Sequence, residues 1–118
     1  MALKLNQEAY DHATQLIEEG KVVRDGRDAW KEHQVSTQAE DEFIRTHGFE
    51  EYVKWHLAVD DKKPANSKAR YKHPCGDFQE VHLCALITAE GRAGQMKHYD
   101  IETAAARLHS MIEVAKHA

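Results

Sequence analysis

The chain has 118 residues, 42% apolar and 31% charged, enough to bury one core and too little for two. Two prolines and six glycines exclude a low-complexity or disordered composition, and no apolar run approaches the roughly 18–20 residues that cross a bilayer. A net charge of −4 argues against a general nucleic-acid binder, although residues 1–61 hold 14 Asp/Glu against 7 Lys/Arg and residues 62–118 hold 6 against 9.

The start, MALKLNQEAYDHATQ, turns charged at once and lacks the apolar core of a secretory signal. With two cysteines in the chain, a reducing cytoplasm is the expected compartment and a structural disulfide is not expected. Residues 6–19 place Ala9, Ala13, Leu16 and Ile17 on one helical face, with Asn6 as the cap and Gly20 as the stop. From Lys21 to Val35 the pattern is least legible. KVV reads as a short extended piece, Asp25-Gly26 as a turn, and Trp30 as the anchor of the segment.

Helix resumes at STQAEDEFIRTHG, where Thr37-x-x-Glu40 forms a capping-box pattern, Ala39, Phe43 and Ile44 form the apolar stripe, and Gly48 ends it. FEEYVKWHLAV continues as a second helix with Phe49, Tyr52, Val53, His56 and Leu57 at helical spacing and Trp55 off the stripe. DDKKPANSK is a loop, and RYKHP after it is extended, because the residue before proline avoids the helical region. GDFQEVHLCALITAEGRAG then reads as a central helix begun by Asp77-x-x-Glu80 and ended or loosened by Gly91 and Gly94. A final helix, capped by Asp100, carries Ile101, Ala104, Ala105, Leu108, Met111, Ile112 and Ala115 as its stripe.

These elements predict an all-α, mostly helical chain: one compact domain over 1–118, with four to six helices closed by an antiparallel Ala-rich pair. Leu86, Ile87, Ala105, Leu108 and Ile112 should form its core.

HPCGDFQEVHLC at 73–84 holds two His-x-Cys pairs, His73/Cys75 and His82/Cys84, and these residue types bind zinc. Residues i and i+2 share a side only in a strand. If 77–90 is helical, His82 and Cys84 lie about 200° apart, so no metal and no cofactor is assigned. Cys84 then reads as a core residue, and Cys75, ahead of the helix, as an accessible one. No His-Glu-x-x-His, phosphate loop or deaminase spacing is present, so no catalytic constellation is recognised. Glu102, His109 and Glu113 read as a solvated stripe, and most of the nine scattered histidines as surface groups. A helix-turn-helix is disfavoured by Asp100 and Glu102, which would face phosphate.

ARYKHPCGDFQEVHLCALITAEGRAGQMKHYDIETAAARLHSM, with WHLAVD upstream, resembles the C-terminal half of short bacterial helical proteins of unassigned function. The resemblance implies a strand, a turn, an Ala-rich helix, a loop and a second Ala-rich helix, and it supplies no catalytic residues.

The function expected from the sequence is a protein-interaction or small-ligand module, with a homodimer or a protein partner and no membrane. Its candidate binding residues are the aromatic group Tyr52, Trp55 and His56, the basic run Arg70, Tyr71, Lys72 and His73, and His98. One alternative is a metal protein using His73, Cys75 and His82 with or without Cys84. Another is a nucleic-acid-associated protein using the basic segment 62–73, with Arg92 and Lys97 in support.

Overall fold

A computed structural model describes residues 3–26 and 29–116. The side chain of Ala115, and His117, lie outside the described residues. In chain order the elements are β1 (Leu3–Leu5), α1 (Gln7–Glu18), β2 (Val22–Val23), α2 (Trp30–His33), α3 (Thr37–His47), α4 (Phe49–Val53) and β3 (His56–Asp60). A 3₁₀ turn (Lys68–Arg70), β4 (Tyr71–Pro74), β5 (Val81–His82), α5 (Leu83–Gln95) and α6 (Tyr99–Lys116) follow.

The expected all-α class is therefore corrected to a mixture of helix and sheet. An antiparallel sheet runs β1-β3-β4, and a parallel pair joins β2 to β5. The extended readings at KVV and RYKHP become β2 and β4, but the strands are two to five residues long, too short for period-two alternation to declare a sheet in sequence. The expected helix over FEEYVKWHLAV is likewise cut at Val53. Lys54 and Trp55 turn the chain, and His56, Leu57 and Ala58 enter β3, all three buried. Three consecutive buried residues mean that both faces of β3, the central strand, are covered there, and such a stretch cannot be told from a buried helix by periodicity.

Helix α1 follows the expected pattern: Ala9, Ala13, Leu16 and Ile17 are buried, and Gly20 ends it with φ of +79°. Asn6 precedes the helix, but its side chain does not cap it. It donates instead to the carbonyls of Val53 and His56 at 3.0 and 2.9 Å, tying the entry of α1 to the entry of β3. In α3 the cap is Ser36, whose hydroxyl accepts from the Ala39 amide, one residue earlier than the expected Thr37. Phe43 stacks on Phe78 with ring centroids 4.4 Å apart, while no α3 residue is fully buried.

The largest revision concerns 77–90. Asp77 does not begin a helix. Its Oδ1 accepts from the amides of Gln79 and Glu80, which closes a tight turn, and the chain then passes through β5 before α5 starts at Leu83. Helix α5 runs through Gly91 and Gly94 rather than ending there. Its C-terminus is a Schellman motif: His98 N donates to the Ala93 carbonyl at 2.8 Å and Lys97 N to the Gly94 carbonyl at 3.2 Å. Lys97 takes the left-handed position at φ +61°, where glycine is the usual residue.

Helix α6 starts at Tyr99, so Asp100 is inside its first turn, and its Oδ2 accepts from the Leu5 amide at 3.0 Å. Ile101, Ala104, Ala105, Leu108 and Ile112 are buried as the stripe required. Helices α5 and α6 form the most extensive helix–helix contact of the fold. Leu86, Ala105, Leu108 and Ile112 are fully buried between them and α1, whereas Ile87 is partly exposed. Each fully buried aliphatic side chain contributes about 1.5–3 kcal/mol of transfer free energy.

Candidate metal centre

The parallel pair β2–β5 sets Val22 opposite Val81 and Val23 opposite His82. Continued in the same register, Asp25 comes level with Cys84, and its Oδ1 accepts the Cys84 amide at 2.7 Å. That amide opens α5, where the first turn leaves N–H groups without helical partners. The other carboxylate oxygen of Asp25, Oδ2, is the focus of three more groups. His33 Nδ1 lies at 2.6 Å, His82 Nδ1 at 2.7 Å and Cys84 Sγ at 2.9 Å. Helix α2 delivers His33, and the burial of Trp30 against Cys84 and Ala85 holds that helix in place.

The donor atoms of Asp25, His33, His82 and Cys84 all lie within 4.8 Å of one another. His82 and Cys84 are buried, Asp25 is almost so, and His33 forms the solvent-facing side. His82 is held from behind as well: its Nε2 stands 3.0 Å from Asp77 Oδ2. Carboxylate–histidine pairs of this kind fix the orientation of a ligating imidazole.

The electrostatics follow from the packing. Burial opposes ionisation of Asp25, but hydrogen bonds from the Cys84 thiol and amide and from both imidazoles outweigh it and hold the carboxyl well below the usual range. Burial, then the Asp25 carboxylate, pushes the Cys84 thiol up to about 12. For His82, burial lowers the pKa, yet the flanking Asp77 and Asp25 prevail and raise it.

The sequence expectation about this stretch is thus half overturned. His82 sits in a strand and Cys84 at the first turn of α5, so the two converge rather than diverge. His73 and Cys75 do not join them. Cys75, expected to be accessible, is fully buried with its thiol directed at the Trp55 carbonyl 3.5 Å away, and burial pushes that thiol up to about 12. The missing partners, Asp25 and His33, come from the segment that the hydrophobic pattern left illegible. Asp25 registered in sequence only as half of a turn dipeptide. Its separation from Cys84, 59 positions, fits no ligand spacing.

The other expected binding residues fall into three places. Tyr52, Trp55 and His56 are buried in the aromatic packing around Phe78 and His12. His56 Nδ1 donates to the Tyr52 carbonyl at 3.0 Å, and burial lowers its pKa to about 4. Arg70 and Tyr71 brace the 61–70 loop by donating to the carbonyls of Lys63 and Ala65. Lys72, His73 and His98 line a separate cavity at the far end of α5. On the last helix, His109 bonds Glu90 of α5 at 3.1 Å and lies 4.0 Å from Glu113.

Among the described residues, no helix is long and apolar enough to cross a membrane. Comparison with protein-family models, with curated proteins and with solved structures gave no match.

Proposed function

We propose that this chain is a zinc-binding protein, with Asp25, His33, His82 and Cys84 as the four ligands. The observation that carries the proposal is the convergence of two imidazoles, a thiol and a carboxylate within 4.8 Å, from three separate stretches of chain. Mixed nitrogen, sulfur and oxygen donors suit tetrahedral zinc better than the hard cations, which prefer oxygen alone. The charges balance: a Cys84 thiolate and an Asp25 carboxylate neutralise a dication at a largely buried position. Ligand atoms on zinc stand about 3.3–3.8 Å apart at ordinary bond lengths. The His33–Cys84 separation of 4.0 Å is close to that, and Asp25 needs to withdraw by less than about 1 Å.

Four protein donors leave no open coordination position, which makes the centre structural rather than catalytic. Its role is to fasten Asp25 and α2 to the start of α5. A reducing cytoplasm suits a protein whose two cysteines are both free. Small-ligand binding, part of the leading expectation from the sequence, has separate support at the opposite end of α5.

Elemental analysis of protein purified without an affinity tag tests the centre. One equivalent of zinc is expected, retained on gel filtration and lost in Cys84→Ser and His82→Ala. Less than about a tenth of an equivalent after zinc supplementation, with no rise in melting temperature, would overturn it.

A further inference from the structure

A cavity of about 580 Å³ lies between the end of α5, the turn that follows it and strands β1, β3 and β4, within the size range of small-molecule sites. It is separate from the metal centre. Cys84 lies in the first turn of α5 and Arg92 eight residues further along, about 12 Å away at the helical rise.

Three cations surround this cavity: Lys62, Lys72 and Arg92. None has an ion-pair partner among the described residues, unlike Lys68, which Glu40 and Asp41 hold at 3.0 Å each. Asp60 is the one carboxylate lining the cavity among the described residues, and its Oδ1 already accepts the Lys62 amide. The local excess is therefore two positive charges with the histidines neutral.

His98 supplies an independent sign. It is 8% exposed, it lines the cavity, and neither ring nitrogen has a hydrogen-bond partner among the described residues. A buried imidazole with nothing to bond costs free energy that a ligand could return. His73, which lines the cavity, holds left-handed backbone at φ +58°. Such conformations persist at sites where the surroundings over-determine them. Burial, and then the neighbouring charges of Arg92 and Lys72, lower the pKa of His73.

We propose that this cavity binds a small organic phosphate, a phosphomonoester dianion of about mononucleotide size. Lys62, Lys72 and Arg92 surround the phosphate, His98 hydrogen-bonds to it, and Leu3 and Met96 contact the organic part. Charge matching favours the dianion over a monocarboxylate, and the apolar walls favour an ester over the bare ion.

The test is a titration of the full chain with adenosine 5′-monophosphate, inorganic phosphate and adenosine, followed by calorimetry and by histidine ring NMR. The monophosphate should bind and shift the His98 and His73 rings, inorganic phosphate should bind more weakly, and adenosine should not bind. Arg92→Gln and Lys72→Gln, both at exposed positions, should melt like the parent and weaken binding about tenfold each. Lys68→Gln should bind as the parent does, and a chelator should change nothing, since the metal centre is distinct. The proposal is overturned if neither phosphate binds at about 10 mM, or if Arg92→Gln and Lys72→Gln bind unchanged. A response to single-stranded oligonucleotide alone also overturns it, because the basic surface would then be a polyanion track.

Discussion

Oδ2 of Asp25 lies 2.7 Å from Nδ1 of His82, across 57 positions of sequence, and Asp77 takes the other nitrogen of the same ring at 3.0 Å. Asp25 thereby links β2, α2, β5 and α5 through one carboxylate. Replacing it with alanine strips the Cys84 amide and the buried His82 ring of their acceptor together. With a chelator present, so that metal does not enter, Asp25→Ala should cost about 3 kcal/mol in urea unfolding. His33→Ala, at an exposed ring, should cost less than about 1 kcal/mol under the same conditions. Equal costs would mean that the network does not hold these elements together.

Both cysteines are fully buried, and both thiols are pushed up to about 12. Ellman's reagent at pH 8 should therefore modify neither in the native protein, and both only as it unfolds. Zinc should slow Cys84 further and leave Cys75 unchanged. Rapid labelling of either thiol would show that its burial is wrong.

Acid should weaken the fold before the carboxylates are reached. His56 has a folded pKa of about 4 against 6.5 when unfolded. Between those values the unfolded chain takes up a proton that the folded chain refuses, so stability falls with pH by roughly 3 kcal/mol. His12 and His73, both lowered chiefly by burial, act in the same direction. Asp25 and Asp77 add their loss below pH 3.8, whereas the contribution of His82 is complete below pH 6.5 and fades above it. Urea titrations at pH 6.5 and 4.5 should show the slope in the parent and a flatter one in His56→Gln. An identical slope in the two proteins would acquit His56.

Three backbone positions give opposite signs. Lys97→Gly relieves the left-handed backbone there and should stabilise the protein by about 1 kcal/mol. Gly91→Ala, inside α5 with nothing within 4 Å of the added Cβ, should stabilise by roughly 0.5–1 kcal/mol. At Gly76 the same methyl overlaps the Glu80 carbonyl and comes within 2.6 Å of the Trp55 ring, so Gly76→Ala should cost about 1–3 kcal/mol or more. Thermal melts of the three variants check the order; a stable Gly76→Ala would mean that the 74–81 turn is packed differently.

Periodicity and turn-forming residues in the sequence were enough to determine α1, α3 and α6, the Gly20 and Gly48 stops, the body of the DDKKPANSK loop and most of the core between the closing helices. Those features depend on contacts a few residues apart, which a repeat of 3.6 records directly. Of the strands, β2 and β4 were legible as extended pieces at KVV and ahead of Pro74, but β1 and β5 left no periodic record, and a buried central strand such as β3 reads like a helix. The metal centre belongs to the same category. His82 and Cys84 stood out by residue type, but their mutual direction depended on where α5 starts, and Asp25 and His33 were anonymous in their own segment. Only the parallel register of β2 with β5 decides that Asp25 meets Cys84, because that pairing joins residues 59 apart through backbone hydrogen bonds that any side chain allows.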